Sequence, residues 1–92
     1  MALYRARLMD AVTPGETTVD FQARDDLMVD TPVRIVRAFF ESTDAGLIPV
    51  RHRDWEVNAA LKSPDGRVAS VMGVLHRAED TPVPFAVFVS PK

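Results

Sequence analysis

The chain has no cysteine. That excludes disulfides, thiolate nucleophiles and thiolate metal sites together. Small secreted domains usually need covalent staples, so the expected location is a reducing cytoplasm. Histidine is nearly as scarce. His52 and His76 fall in different parts of the chain, with neither His-x-His nor His-Glu-x-x-His spacing, so the sequence predicts no metal site and no cofactor. The four glycines, Gly15, Gly46, Gly66 and Gly73, form no phosphate-cradling loop. Long apolar runs are missing too. "VASVMGVL" is far too short to span a bilayer. Arg5, Arg7 and Asp10 interrupt any signal-peptide-like stretch at the start. Nor is there a basic excess. The net charge of −2 argues against a general nucleic-acid binder.

What is present describes a small globular unit. Ninety-two residues predict a single domain, 1–92, with a small core and a thin stability margin. An apolar fraction of 47% against 26% charged residues excludes wholesale disorder. Of eleven basic residues only Lys62 and Lys92 are lysine. Arginine suits interfaces, through forked carboxylate pairs and stacking on aromatics. The plainer source of that balance is a GC-rich, bacterial-type coding bias.

Periodicity sets out the elements. Ala2, Tyr4, Ala6 and Leu8 alternate with Arg5 and Arg7; after "TPGE", Thr17, Val19, Phe21 and Ala23 alternate with polar residues. Two such runs around a breaker cluster predict a β-hairpin with one apolar face. "DTPVRIVRAFFESTDAG" predicts an amphipathic helix over about 31–44. Asp30 or Thr31 would cap it, Pro32 would sit in its first turn, and Gly46 would stop it in a left-handed conformation. Its apolar stripe runs through Val33, Val36 and Phe40, widened by Ile35 and Phe39.

"VRHRDWEV" leads into a third strand, Arg53 to Leu61. Its alternation points Trp55, Val57 and Leu61 inward and Asp54 and Glu56 outward, with Trp55 under the helix against Phe39 or Phe40. "SPDG" predicts a turn. The strand from Arg67 to His76 is apolar on both faces, with Val68, Met72 and Val74 opposing Ala69, Val71 and Leu75. That implies a central position in a sheet. Gly73 within it suggests a bulge or a close backbone approach. After "AEDTP", Val83, Phe85, Val87 and Val89 oppose Ala86 and Phe88 in a last strand.

The expected fold is therefore α+β: a two-layer sandwich in the order ββαβββ, one helix on a mostly antiparallel five-stranded sheet. The order hairpin, helix, further strands is similar to that of β-grasp domains, a likeness of element order alone.

One helix covers one side of a sheet, yet the last two strands carry apolar groups on both sides. Uncovered apolar surface of that size marks an interaction site. The leading expectation is a non-enzymatic protein–protein interaction module that docks a protein partner, or a second copy of itself, as homodimer, accessory subunit or regulator. The interface candidates are Met72, Val74, Phe85, Val87 and Phe88. Two alternatives are weighed beside it. Arg5, Arg7 and Arg24 could gather to hold a nucleic acid or an acidic ligand, although Asp20 stands ready to neutralise one of them across the hairpin. His76 or His52 could work with Asp54 or Glu56 in a small enzyme, although no nucleophile is identifiable for either. Asp25–Asp26 and Glu79–Asp80 read as turn residues.

Overall fold

A computed structural model of the chain describes residues 1–48, 54–77 and 81–92. Among them the chain forms strands β1 (Ala2–Asp10) and β2 (Thr17–Ala23), a helix α1 (Pro32–Glu41), and strands β3 (Asp54–Lys62), β4 (Ala69–His76) and β5 (Val83–Pro91). Short 3-10 segments, Leu27–Val29 and Thr43–Leu47, stand on either side of α1. The sheet runs β2-β1-β5-β4-β3, with every neighbouring pair antiparallel. This is the expected two-layer α+β arrangement in the order ββαβββ. The two strands that are apolar on both faces, β4 and β5, are both interior, and the mixed strands β2 and β3 take the edges.

Two glycines close the tight connections. Gly15 and Gly66 take φ of +75° and +72°, the left-handed region that side chains disfavour. The Gly66 amide donates to the Ser63 carbonyl at 2.9 Å and the Ser63 amide to the Val68 carbonyl at 2.8 Å, which makes the "SPDG" turn. Arg67 and Val68 belong to that connection, and the strand starts at Ala69 rather than Arg67.

The helix is shorter than the sequence implies. It ends at Glu41, and Ser42 turns to an extended conformation, φ −75° and ψ 154°. The Ser42 amide and hydroxyl both donate to the Phe39 carbonyl, so a local side-chain bond competes with the next helical turn. Gly46 falls within the following 3-10 segment and does not adopt a left-handed φ. At the other end Pro32 occupies the first turn as expected. The Thr31 side chain makes no capping bond, and Asp30 accepts the Thr31 amide. Within the expected stripe Ile35, Val36 and Phe39 are fully buried, while Val33 and Phe40 are half-buried beside them.

The core lies wholly on one side of the sheet. Tyr4, Ala6, Leu8, Phe21, Val71, Leu75, Val87 and Val89 meet Ile35, Val36 and Phe39 of α1. α1 packs on β4, with β3 and β5 beside it, and the 3-10 segment after it covers β2. Aromatic rings run through this layer from Tyr4 to Phe21 to Phe39, with centroids 5.8 and 5.3 Å apart. Trp55 packs 4.8 Å from Phe40, beneath the helix as its strand phase implies. The Tyr4 hydroxyl satisfies itself by donating to the Arg24 carbonyl at 2.6 Å.

One strand departs from simple alternation. β3 and β4 pair in register from Asp54↔His76 to Val57↔Gly73, then resume at Ala59↔Met72. Asn58 is the extra residue of a β-bulge, and it reverses the phase of everything after it. Trp55 and Val57 face the helix as expected. Leu61, expected beside them, faces the opposite side and is 70% exposed. Lys62 is turned inward instead, and its ammonium donates to the Asp30 carbonyl at 2.9 Å.

Candidate functional site

The strand registers place the outward side chains in rows across the sheet. Arg7, Phe88, Ser70 and Leu61 form one row, from β1 through β5 and β4 to β3. Met9, Ala86, Met72 and Ala59 form the next. Pro84, Val74 and Glu56 form a third. Strand geometry requires this: a residue and its direct cross-strand partner share a face, about 5 Å apart.

The result is a contiguous apolar area on the face opposite α1. Met72 is 56% exposed and Phe88 38% exposed, with Met9 and Leu61 open beside them and Val68 at the border. Charged groups surround it. Arg5, Arg7, Glu16 and Asp20 stand on the hairpin side, and Asp54, Glu56 and His76 at the far corner.

The five interface candidates divide between the two faces. Met72, Val74 and Phe88 come together on the open face. Phe85 and Val87 do not: they face the helix and are 4% and 0% exposed. Their phase is fixed through β1, where Val87 pairs with the buried Leu8. They belong to the core, so this structure corrects their assignment to a docking surface. Met9, Ala86 and Leu61 take their places. Met9 was legible from the phase of β1; Leu61 was hidden by the bulge.

The arginine candidates are each paired with a carboxylate. Arg5 donates to Asp20 at 2.9 Å across the hairpin, and Lys92 reaches the other oxygen of that carboxylate at 2.7 Å. The Arg5 hydrogen bond, followed by that of Lys92, holds the Asp20 carboxyl down at about 2. Arg7 lies 4.0 Å from Glu16. Arg24 stands past the end of β2 and pairs with Asp26 and Asp30, away from the outer-face rows that hold Arg5 and Arg7. The Asp30 carboxyl is lowered first by the Thr31 amide it accepts and then by Arg24. Each of the three arginines is thus engaged by a carboxylate, Arg5 sharing Asp20 with Lys92, and Arg24 stands apart from Arg5 and Arg7 rather than gathering with them.

The structure brings His76 together with both carboxylate candidates, opposite Asp54 in the register and beside Glu56, but on an open surface. His76 Nε2 lies 3.8 Å from Glu56 Oε1, with both side chains well exposed on the open face. Two surface grooves, of about 410 and 270 Å³, flank α1; Asp54 lines the first, beside Arg37, Glu41 and Trp55, and neither is lined by His76 or Glu56. His52, Arg51, Arg53, Glu79 and Asp80 lie outside the described residues. Among the described residues, no group of three or more His, Asp or Glu side chains is placed to hold a metal, and no helix is long and apolar enough to cross a membrane.

No protein-family model matches the chain, and neither a curated protein nor a solved structure matches it.

Proposed function

We propose that the chain is a small protein-docking module that acts by self-association, two copies meeting through the open faces of their sheets. The observation that carries this reading is the continuity of Met9, Phe88, Met72 and Leu61 across four adjacent strands on the side that α1 leaves uncovered. Apolar surface of this kind costs free energy in water, at about 25 cal/mol per Å². A docked partner removes that cost.

Two features favour a second copy as the occupant. The first is size. Five strands about 4.8 Å apart and about seven residues long make a projected face of about 550 Å². Counted with its polar edge on β2, that face is of the same order as the ~800 Å² per partner of a standard interface. The second is charge. The rim carries both signs, with Arg5, Arg7 and Lys92 against Glu16, Asp20, Asp54 and Glu56. A strongly acidic or basic partner gains little from such a mixed rim, whereas two identical mixed rims meet without net like-charge repulsion. An apolar centre with a polar rim is also the usual anatomy of a homodimer interface.

The test is sedimentation equilibrium on the chain over a wide concentration range, beside Met72→Glu and Phe88→Glu. Reversible dimers that both substitutions convert to folded monomers support the reading. A wild-type chain that stays monomeric at the highest concentrations refutes it.

A further inference from the structure

Resting on the self-association reading, we infer that the open face is its own complement: Met72 and Phe88 of one copy seat in recesses at Ala86 and Ser70 of the other. The register makes these four residues a square on adjacent strands. Phe88 lies beside Ser70, and Ala86 beside Met72. Large residues occupy one diagonal and small ones the other. Phe88 and Met72 stand exposed, while Ser70 and Ala86 are half-buried between them. The square is thus a checkerboard of two projections and two hollows.

Sheets that pack face to face in the aligned manner keep their strands within about 30° of one another. A two-fold axis between two such sheets runs either along the strands or across them. With the axis along the strands, between β4 and β5, each β4 covers the other copy's β5. Met72 then lies over Ala86 and Phe88 over Ser70. With the axis across the strands, the rows exchange, and Phe88 lies over Ala86 and Met72 over Ser70. Both arrangements put a projection on a hollow, and neither opposes two projections. The alternation is confined to these four residues; on the adjoining strands one pair in each arrangement follows it and the other sets the flexible Arg7 over Leu61 in the first or over Met9 in the second. The first arrangement sets Met9 over Ala59, and the second sets Leu61 over Ala59. A two-fold interface requires such self-complementarity, because each patch meets its own image. The bulge at Asn58 supplies part of it, since without the phase change Ala59 and Leu61 would not share this face.

Filling the hollows tests this directly. Ala86→Trp and Ser70→Trp add apolar surface to the face. If the face attracts merely by being apolar, both variants dimerise more tightly. If the hollows receive Met72 and Phe88, both raise the dimer dissociation constant by about tenfold or more, because overpacking opposes closure. Sedimentation equilibrium reads the constant, and far-ultraviolet circular dichroism verifies the fold. Phe88→Ala, which removes a projection and adds no bulk, is expected to weaken the dimer as well and serves if a tryptophan variant does not fold. A wild-type dimer unaffected or strengthened by the tryptophans, or unaffected by Phe88→Ala, overturns the seating and leaves self-association standing. A monomeric wild type overturns both.

Discussion

Gly73 and Glu56 approach so closely that a Cβ on Gly73 would lie 1.8 Å from the Glu56 carbonyl oxygen. No side chain fits there, and the obstacle is backbone, which cannot rotate aside as a flexible side chain would. The contact belongs to the bulge of β3, and the bulge is what places Leu61 and Ala59 on the open face. Gly73→Ala is therefore expected to destabilise the chain by about 3 kcal/mol, measured by urea unfolding. A loss below about 0.5 kcal/mol would mean that the two backbones are not pressed together.

The two faces of β5 predict opposite outcomes for one chemical change. At concentrations where the chain is monomeric, Phe88→Glu puts a charge in water and is expected to alter stability by no more than about 1 kcal/mol. Phe85→Glu puts an unpaired carboxylate beneath Trp55 and Phe40 and is expected to cost about 4 kcal/mol or to abolish folding. Thermal unfolding of the two variants side by side checks the assignment. Equal effects would contradict it.

Beneath the sheet, the tilted Phe21–Phe39 pair joins the hairpin to the helix, and both rings are fully buried. Phe39→Ala leaves a cavity that neighbouring strands cannot close, with an expected loss of about 3–4 kcal/mol. Chemical denaturation measures it, and a loss under about 1 kcal/mol would show that the helix is not held through this ring.

Asp20 gives the chain a dependence on acid. Its folded pKa of about 2 lies below the ~3.9 of an unfolded aspartate. The pair with Arg5 and Lys92 thus contributes stability that is fully present above that unfolded value and is lost as the pH falls toward 2. The melting temperature is expected to drop through that window, and Asp20→Asn to flatten part of the drop. An identical acid profile in the variant would show that the pair contributes nothing to the folded state.

The parts of the fold legible from the sequence are those governed by alternation. Tyr4, Ala6 and Leu8, and Val19 and Phe21, announce both strand and phase, and Val83 to Val89 announce a strand. Three features were not legible. Alternation reveals that Phe85 and Phe88 oppose each other but not which one the helix covers; that is decided by pairing with Leu8's strand. The bulge at Asn58 is a backbone event, and its one trace was the glycine opposite, Gly73, which signalled a close approach without saying which strand would bend. The early end of α1 follows from Ser42 bonding back to Phe39, a competition that the stretch of good helix formers before it conceals. The uncovered apolar area was legible in outline, through the two-sided β4 and β5, while its extension to Met9 and Leu61 depended on sheet order and on the bulge.

The most direct measurement is sedimentation equilibrium of the chain beside the Met72→Glu, Phe88→Glu double variant. A concentration-dependent mass rising to twice that of one chain, and a folded variant fixed at the mass of one, is the predicted result. A wild-type chain of single mass throughout, or a double variant that dimerises as well as its parent, would contradict the account.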